Sequence, residues 1–140
     1  MSERGQAPAS PSTKRAIVIL IQIGIGAFHA LRFGRLLSGQ WSRLYSSYFS
    51  DVVIPFGVYF LLTLSEERIP LFRSWSGKAG AVLVVTTAAE VAQYFGFYAL
   101  GVTFDPLDIV MYAVGVLLAA FLDVKVFAHH VDGWAGPGRS

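Results

Sequence analysis

The sequence predicts an all-α membrane protein, a polytopic chain with four transmembrane helices in one bundle. Of its 140 residues, 54% are hydrophobic and only 14% are charged. That proportion leaves too few polar side chains to cover a soluble globule, so it indicates an integral membrane protein. Four apolar stretches account for most of the length and leave no room for a second folded domain.

The first span follows a segment rich in Ser, Pro, Gly and Ala, residues 1–13, which we expect to be a disordered cytoplasmic tail. The basic pair Lys14-Arg15 opens the four-helix domain, residues 14–128, and the first span runs over residues 16–37. A basic pair before an apolar run also resembles a signal peptide. No small-x-small cleavage site closes this run, so we expect an uncleaved anchor.

The remaining spans are predicted at residues 45–65, 79–100 and 106–128. Pro55 lies inside the second span, where it frees the carbonyl of Asp51 and is expected to kink the helix. Residues 129–140 are expected to form a flexible cytoplasmic tail.

Lys and Arg residues predict the orientation, because cytoplasmic loops carry the excess of positive charge. Eight lie on one side, namely Arg4, Lys14, Arg15, Arg68, Arg73, Lys78, Lys125 and Arg139. Three lie on the other, namely Arg32, Arg35 and Arg43. Both termini are therefore expected in the cytoplasm, with the chain in the inner (plasma) membrane. Trp41, Trp75 and Trp134 fall just outside the predicted spans, where interfacial tryptophans are common.

Glu90 is the most informative residue, because it lies in the middle of the third apolar stretch. A carboxylate at the centre of a bilayer costs about 2.5–3.5 kcal/mol on insertion scales, so it needs a partner, a proton or a water-filled cavity. Thr86, Glu90, Gln93 and Phe97 follow helical spacing and form one stripe. We expect that stripe to face the interior of the bundle.

The first span carries the expected partners of Glu90. Gln22, Gly26, His29 and Arg32 share one face, and the small residue is expected to allow close helix approach. His29 and Arg32 are the natural partners, through an ion pair or a shared proton. Two interpretations stay open: interhelical hydrogen bonds contributing about 0.6 kcal/mol each, or a Glu90 that titrates or binds a cation or headgroup.

Three more carboxylates are predicted near the outer face. Asp105-Pro106-x-Asp108 is typical of a helix start, with an acidic N-cap, proline at N1 and a carboxylate in the first turn. Capping alone would explain both acids. Asp51 is predicted at the same membrane level, however, so these acids and Glu90 are expected to converge on one outward-facing cleft. Tyr112 is placed to donate a hydrogen bond into that cleft.

Other features indicate structure or exclude function classes. Tyr59 is expected mainly to pack inside the bundle, and His129-His130 to be a solvated pair, because adjacent helical residues diverge by about 100°. The sequence has no phosphate loop, nucleophile elbow or zinc-binding helix motif, so no cofactor or catalytic residue is predicted. It also has no cysteine for disulfides or thiolate sites. No basic patch interleaved with aromatics indicates nucleic acid.

A longer pattern resembles a known family. Glu90-x-x-Gln93, followed by Gly101-x-Thr103-Phe104-Asp105-x-x-Asp108-x-x-x-Tyr112-x-x-Gly115, is similar to the VanZ-like membrane proteins and a related uncharacterised family of small bacterial membrane proteins. Ser50-Asp51 with Tyr59 resembles the helix that those families start with an acidic residue. The chain departs from them at Val52 and Pro55, where a basic residue and a histidine are usual. The resemblance covers roughly residues 50–120 and implies a bacterial cell-envelope membrane protein, linked in the best-known case to glycopeptide tolerance.

Four hypotheses about function follow. The first is a non-enzymatic envelope protein whose acidic cleft recognises a lipid or envelope-precursor headgroup, or a partner protein. The second is an accessory subunit of a larger membrane complex or a homo-oligomer. The third is a metal-dependent enzyme acting on a lipid phosphate, since carboxylates suit magnesium. The fourth is a proton or cation pathway through Glu90 and His29. Membrane lipid is the expected partner in each case.

Overall fold

The computed structural model describes residues 11–31, 36, 38–97 and 105–135, and this part of the chain is helical, without strands. Its four main helices are α1 (Pro11–Ala30), α2 (Gln40–Thr63), α3 (Trp75–Tyr94) and α4 (Pro106–Phe121). A 3-10 turn, Pro70–Arg73, precedes α3. After α4 the helix continues as a π-helical turn, Leu122–Phe127, and ends with Ala128–His130. The predicted all-α fold is confirmed.

Three helical segments are long and apolar enough to cross a membrane: Thr13–Ala30, Gln40–Thr63 and Pro106–His130. α3 has 20 residues and is therefore about 30 Å long, enough to cross the hydrocarbon core. It is less apolar than the others because its buried face carries Lys78, Thr86, Glu90 and Gln93. Length and composition thus support three of the four predicted spans directly.

Several helix ends differ from their predicted positions. α2 begins at Gln40 rather than 45, and α3 at Trp75 rather than 79. The earlier start of α3 has a local cause: the Ser74 side chain accepts a hydrogen bond from the Gly77 N–H at 3.0 Å and caps the helix. The apolar run begins only at Ala79, so hydropathy alone does not include this polar first turn. α2 continues through Pro55 as predicted.

α2, α3 and α4 pack around the core, and α2 and α4 share the most extensive contact. Gly115 makes that contact possible, because a Cβ at this position would lie 2.0 Å from the carbonyl oxygen of Val52. α1 packs at the edge of this unit and buries Val18. Gly57 lets Gln22 and Ile25 of α1 approach α2, whereas a Cβ on Gly26 would meet nothing within 4 Å. The expected close approach at Gly26 is therefore wrong.

Two contacts show that α2 and α4 run in the same direction. Near the start of α4, the Asp108 side chain lies next to that of Asp51. Beyond its end, Asp123 accepts a hydrogen bond from Tyr59. The fold thus separates two groups of polar side chains, one at each end of the bundle.

Candidate functional site

The acidic cluster consists of Asp51 on α2, Glu90 and Gln93 on α3, and Asp108 and Tyr112 on α4. Glu90 and Gln93 lie one turn apart on the buried face of α3, with 2% and 7% of their surface exposed. The Tyr112 hydroxyl donates a hydrogen bond to Oε1 of Glu90 at 2.5 Å. Tyr112 therefore donates a hydrogen bond into the cluster as expected, and its partner is Glu90.

The carboxyl groups of Asp51 and Asp108 lie next to each other, and Glu90 and Asp105 are near enough for their charges to act on both. Both side chains are half-buried. The structure thus brings together three of the four carboxylates expected at the outer cleft.

Three atoms of the acidic cluster are buried without a hydrogen-bond partner: Oε2 of Glu90 and both the Oε1 and Nε2 atoms of Gln93. Buried polar side-chain atoms in proteins are mostly paired with protein or water, and leaving one unpaired costs about 1–3 kcal/mol. The α3 face therefore presents a free acceptor from Glu90 and a free donor and acceptor from Gln93. This combination can bind a group that both donates and accepts hydrogen bonds.

Asp105 stands at the edge of the cluster and has a structural role. It is the N-cap of α4, and its Oδ1 accepts a hydrogen bond from the Leu107 N–H at 2.9 Å. Pro106 follows at the first helical position. The interpretation of Asp105 as a helix cap is therefore the one its contacts support, while Asp108 turns toward Asp51 instead.

His29 does not contact Glu90, so the expected pairing is wrong. It lies exposed in the last turn of α1, where its ring nitrogens approach the Ile25 carbonyl at 3.1 Å and the Ser50 hydroxyl at 3.0 Å. Ser50 precedes Asp51 on α2, so His29 reaches the neighbouring position rather than the acid. Gln22 donates to the Gly57 carbonyl at 3.0 Å. Arg32, the other expected partner, lies outside the described residues.

A second polar group, the ion-pair network, lies at the opposite end of the bundle and consists of Lys14, Glu66, Lys78 and Asp123. Lys78 is completely buried, approaches Asp123 Oδ2 at 2.8 Å and also pairs with Glu66. Lys14 approaches the other Glu66 oxygen at 2.6 Å. Two ammonium groups thus face two carboxylates, and the charges balance.

Two aromatic residues complete this network. The Tyr59 hydroxyl donates to Asp123 Oδ2 at 2.8 Å, and the Trp134 indole N–H donates to Asp123 Oδ1 at 2.7 Å. Lys78 lies over the Tyr59 ring and Lys14 over the Trp134 ring. Tyr59 thus packs inside the bundle as expected. Trp134 was expected at the interface and is instead 1% exposed, so that prediction is wrong.

The sequence carried a weak signal for the ion-pair network. Lys78 and Asp123 stand at predicted inner ends of two spans and have opposite charges, but the sequence places Lys78 only among the cytoplasmic charges. Nothing in the local pattern shows that a π-helical turn holds Asp123 inside the bundle. His129 and His130 are exposed and each approaches a backbone carbonyl, in line with a solvated pair. Within the described ranges, no three His, Asp or Glu side chains are grouped closely enough to hold one metal ion.

An apolar cavity of about 350 Å³ lies between α1, α2 and α4. Its lining comes from apolar side chains, with Phe49, Val52 and Val53 close to Asp51 in α2 and Phe28 near the carboxyl end of α1. A volume of this size is at the lower end of the range of about 300–1,000 Å³ for small-molecule pockets.

Comparison with models of known protein families, with curated proteins and with solved structures finds no match. The function must therefore be inferred from the residues and geometry of the chain itself.

Proposed function

We propose that this protein is a bacterial cell-envelope membrane protein of the VanZ-like type, non-enzymatic, whose acidic cluster binds the headgroup of a membrane lipid or envelope precursor. The observation that carries the proposal is the set of buried, unpartnered atoms on Glu90 and Gln93. Each unpaired group destabilises the ligand-free protein, and a headgroup that pairs with it would remove that penalty.

The proposed topology has four spans, α1 to α4, with both termini in the cytoplasm. The positive-inside count of eight Lys and Arg against three supports this orientation. α3 is long enough to cross, and its polar side chains are turned toward the protein rather than toward lipid. In this orientation the acidic cluster faces away from the cytoplasm and the ion-pair network lies on the cytoplasmic side.

Comparison with the ion-pair network supports binding over a purely structural role. Where this chain uses buried charge for structure, each cation has a carboxylate within 3 Å and Asp123 also receives two neutral donors. Glu90 has Tyr112 alone on one oxygen, and Gln93 has no partner. Side chains that served only to join helices would be expected to pair with one another.

The apolar cavity supports a lipid as the source of the headgroup. Phe49 and Val52 line the cavity, and they flank the segment of α2 that carries Asp51. An acyl chain in the cavity would need no polar partner. A lipid would therefore find an apolar site and a polar site along one stretch of α2.

The double variant Glu90→Gln, Asp108→Asn tests the proposed function. Native mass spectrometry of the purified protein should show loss of bound lipid, and cells carrying the variant should change in sensitivity to envelope-directed antibiotics. The matched control is Glu67→Gln, Asp132→Asn, which removes two exposed carboxylates outside the cluster. Bound lipid and antibiotic sensitivity that stay the same in both double variants would refute the proposal.

A further inference from the structure

The acidic cluster has many more hydrogen-bond acceptors than donors. Its three carboxyl groups offer six oxygen acceptors, and the Gln93 carbonyl offers one more. The donors are the Tyr112 hydroxyl, already used by Glu90, and the Gln93 amide. Acceptors therefore remain in excess, and a ligand that fits must bring donors.

The cluster also lacks a balancing positive charge in the part of the chain that the structure describes. The ion pairs found there involve Glu66 and Asp123, both at the other end of the bundle. The charges that act on Asp51 and Asp108 come from other acids. His29, the nearest expected cation, bonds to Ser50 instead. A cationic ligand would supply the missing charge.

We propose that the acidic cluster recognises a primary ammonium group on the bound headgroup, held by Glu90 Oε2 and the Gln93 carbonyl, with the carboxyl groups of Asp51 and Asp108 contributing negative charge nearby. An ammonium carries three N–H donors in a compact tetrahedral group, so one ligand atom can serve both of these acceptors. The free N–H₂ of Gln93 would meet an acceptor on the same headgroup, such as a phosphate oxygen. This inference rests on the proposed function and adds the chemical class of its ligand.

Other cations fit less well. The described residues place no three potential ligands around a common metal position. A quaternary ammonium, as in a choline headgroup, has the charge but no N–H, so it would leave the buried acceptors of Glu90 and Gln93 unpaired. The inference therefore predicts discrimination between primary and trimethylated amines of equal charge.

The test uses the full chain in nanodiscs that contain a phosphatidylglycerol background with a minor fraction of one added lipid. Native mass spectrometry counts the bound molecules of phosphatidylethanolamine or phosphatidylcholine. We expect at least a tenfold preference for phosphatidylethanolamine, and loss of that preference in Glu90→Gln. Glu67→Gln removes an exposed carboxylate and should keep the preference. Gln93→Met, which removes both unpartnered amide atoms, should also lose it and serves if Glu90→Gln folds poorly.

A second arm separates two sources of the amine. A soluble muramyl peptide with a free lysyl amine, and the same peptide with that amine acetylated, compete against phosphatidylethanolamine. Displacement by the free amine but not by its acetylated form assigns the site to an envelope precursor, and absence of displacement assigns it to the phospholipid. Equal retention of phosphatidylcholine and phosphatidylethanolamine, with retention still dependent on Glu90, would overturn the ammonium inference and leave headgroup binding intact. Lipid retention that stays unchanged in both Glu90→Gln and Gln93→Met would overturn the ammonium inference and the proposed function together.

Discussion

The ion-pair network and the acidic cluster differ in whether their buried polar groups are paired. The ion-pair network joins two lysines to two carboxylates, and Tyr59 and Trp134 add hydrogen bonds to Asp123. The acidic cluster places carboxylates close to one another and leaves three buried atoms unpartnered. A buried charge that holds a fold together is paired, whereas one kept for a ligand stays incomplete until the ligand arrives. The difference distinguishes a structural end of the molecule from the end where we propose that a ligand binds.

The largest expected effect comes from breaking the structural end. Lys78→Met leaves Glu66 with Lys14 alone and Asp123 without its ammonium partner, and removal of one member of a buried ion pair costs about 3–5 kcal/mol. We therefore expect the free energy of unfolding, measured by denaturant titration in detergent micelles, to fall by this amount. Lys125→Met removes an exposed lysine near the same end and should change it little. Equal stability of the two variants would mean that the network is not structural.

Gly115→Ala should have the next largest effect, because the added methyl would lie 2.0 Å from the Val52 carbonyl and force α2 and α4 apart. Overpacking of this kind costs about 1–3 kcal/mol. Separation of these helices should also weaken the contact between Asp51 and Asp108, and so lower lipid retention. Gly80→Ala places a methyl where nothing lies within 4 Å. Its stability should stay the same or rise by up to about 1 kcal/mol.

Tyr59→Phe keeps the buried ring and removes the hydroxyl that donates to Asp123. We expect the free energy of unfolding to fall by about 1.5 kcal/mol. This value lies at the lower end of the range for hydrogen bonds to charged groups and near the upper end of the values measured in membrane proteins. Lipid retention should not change, since the acidic cluster is untouched. Tyr45→Phe, in the same helix and engaged in ring stacking with Phe49, is the control for loss of a hydroxyl. Lower lipid retention in Tyr59→Phe would show that the two ends are coupled.

Gln22→Met gives the smallest expected effect. It removes a glutamine that is paired with the Gly57 carbonyl between α1 and α2. A single interhelical hydrogen bond in a membrane protein is worth about 0.6 kcal/mol, so unfolding should become easier by roughly that amount. A gain in stability would show that the pairing contributes nothing, and it would remove the contrast with the unpaired Gln93.

The sequence predicted the acidic cluster better than the ion-pair network, for a physical reason. Glu90, Gln93, Asp108 and Tyr112 are polar residues at helical spacing inside or beside apolar stretches, so periodicity alone places them on inward faces. Lys78, Asp123 and Trp134 lie at helix ends, where the same residue types are normally solvated. Their burial depends on how the ends of separate chain segments pack against one another. The expected pairing of His29 with Glu90 is wrong for a similar reason, because a sequence gives the depth of a residue in the membrane only roughly.

The most direct test of the contrast between the ion-pair network and the acidic cluster is the variant Gln93→Met. Its unfolding is compared with that of the wild type in mixed micelles with and without phosphatidylethanolamine. Without the lipid, we expect the variant to be more stable by about 1 kcal/mol, because two unpaired buried polar atoms are gone. Added phosphatidylethanolamine should stabilise the wild type and leave the variant unchanged, since a ligand stabilises only the protein that binds it. A variant that is less stable than the wild type, yet responds equally to the lipid, would contradict the assignment of Gln93 and its neighbours to a binding site.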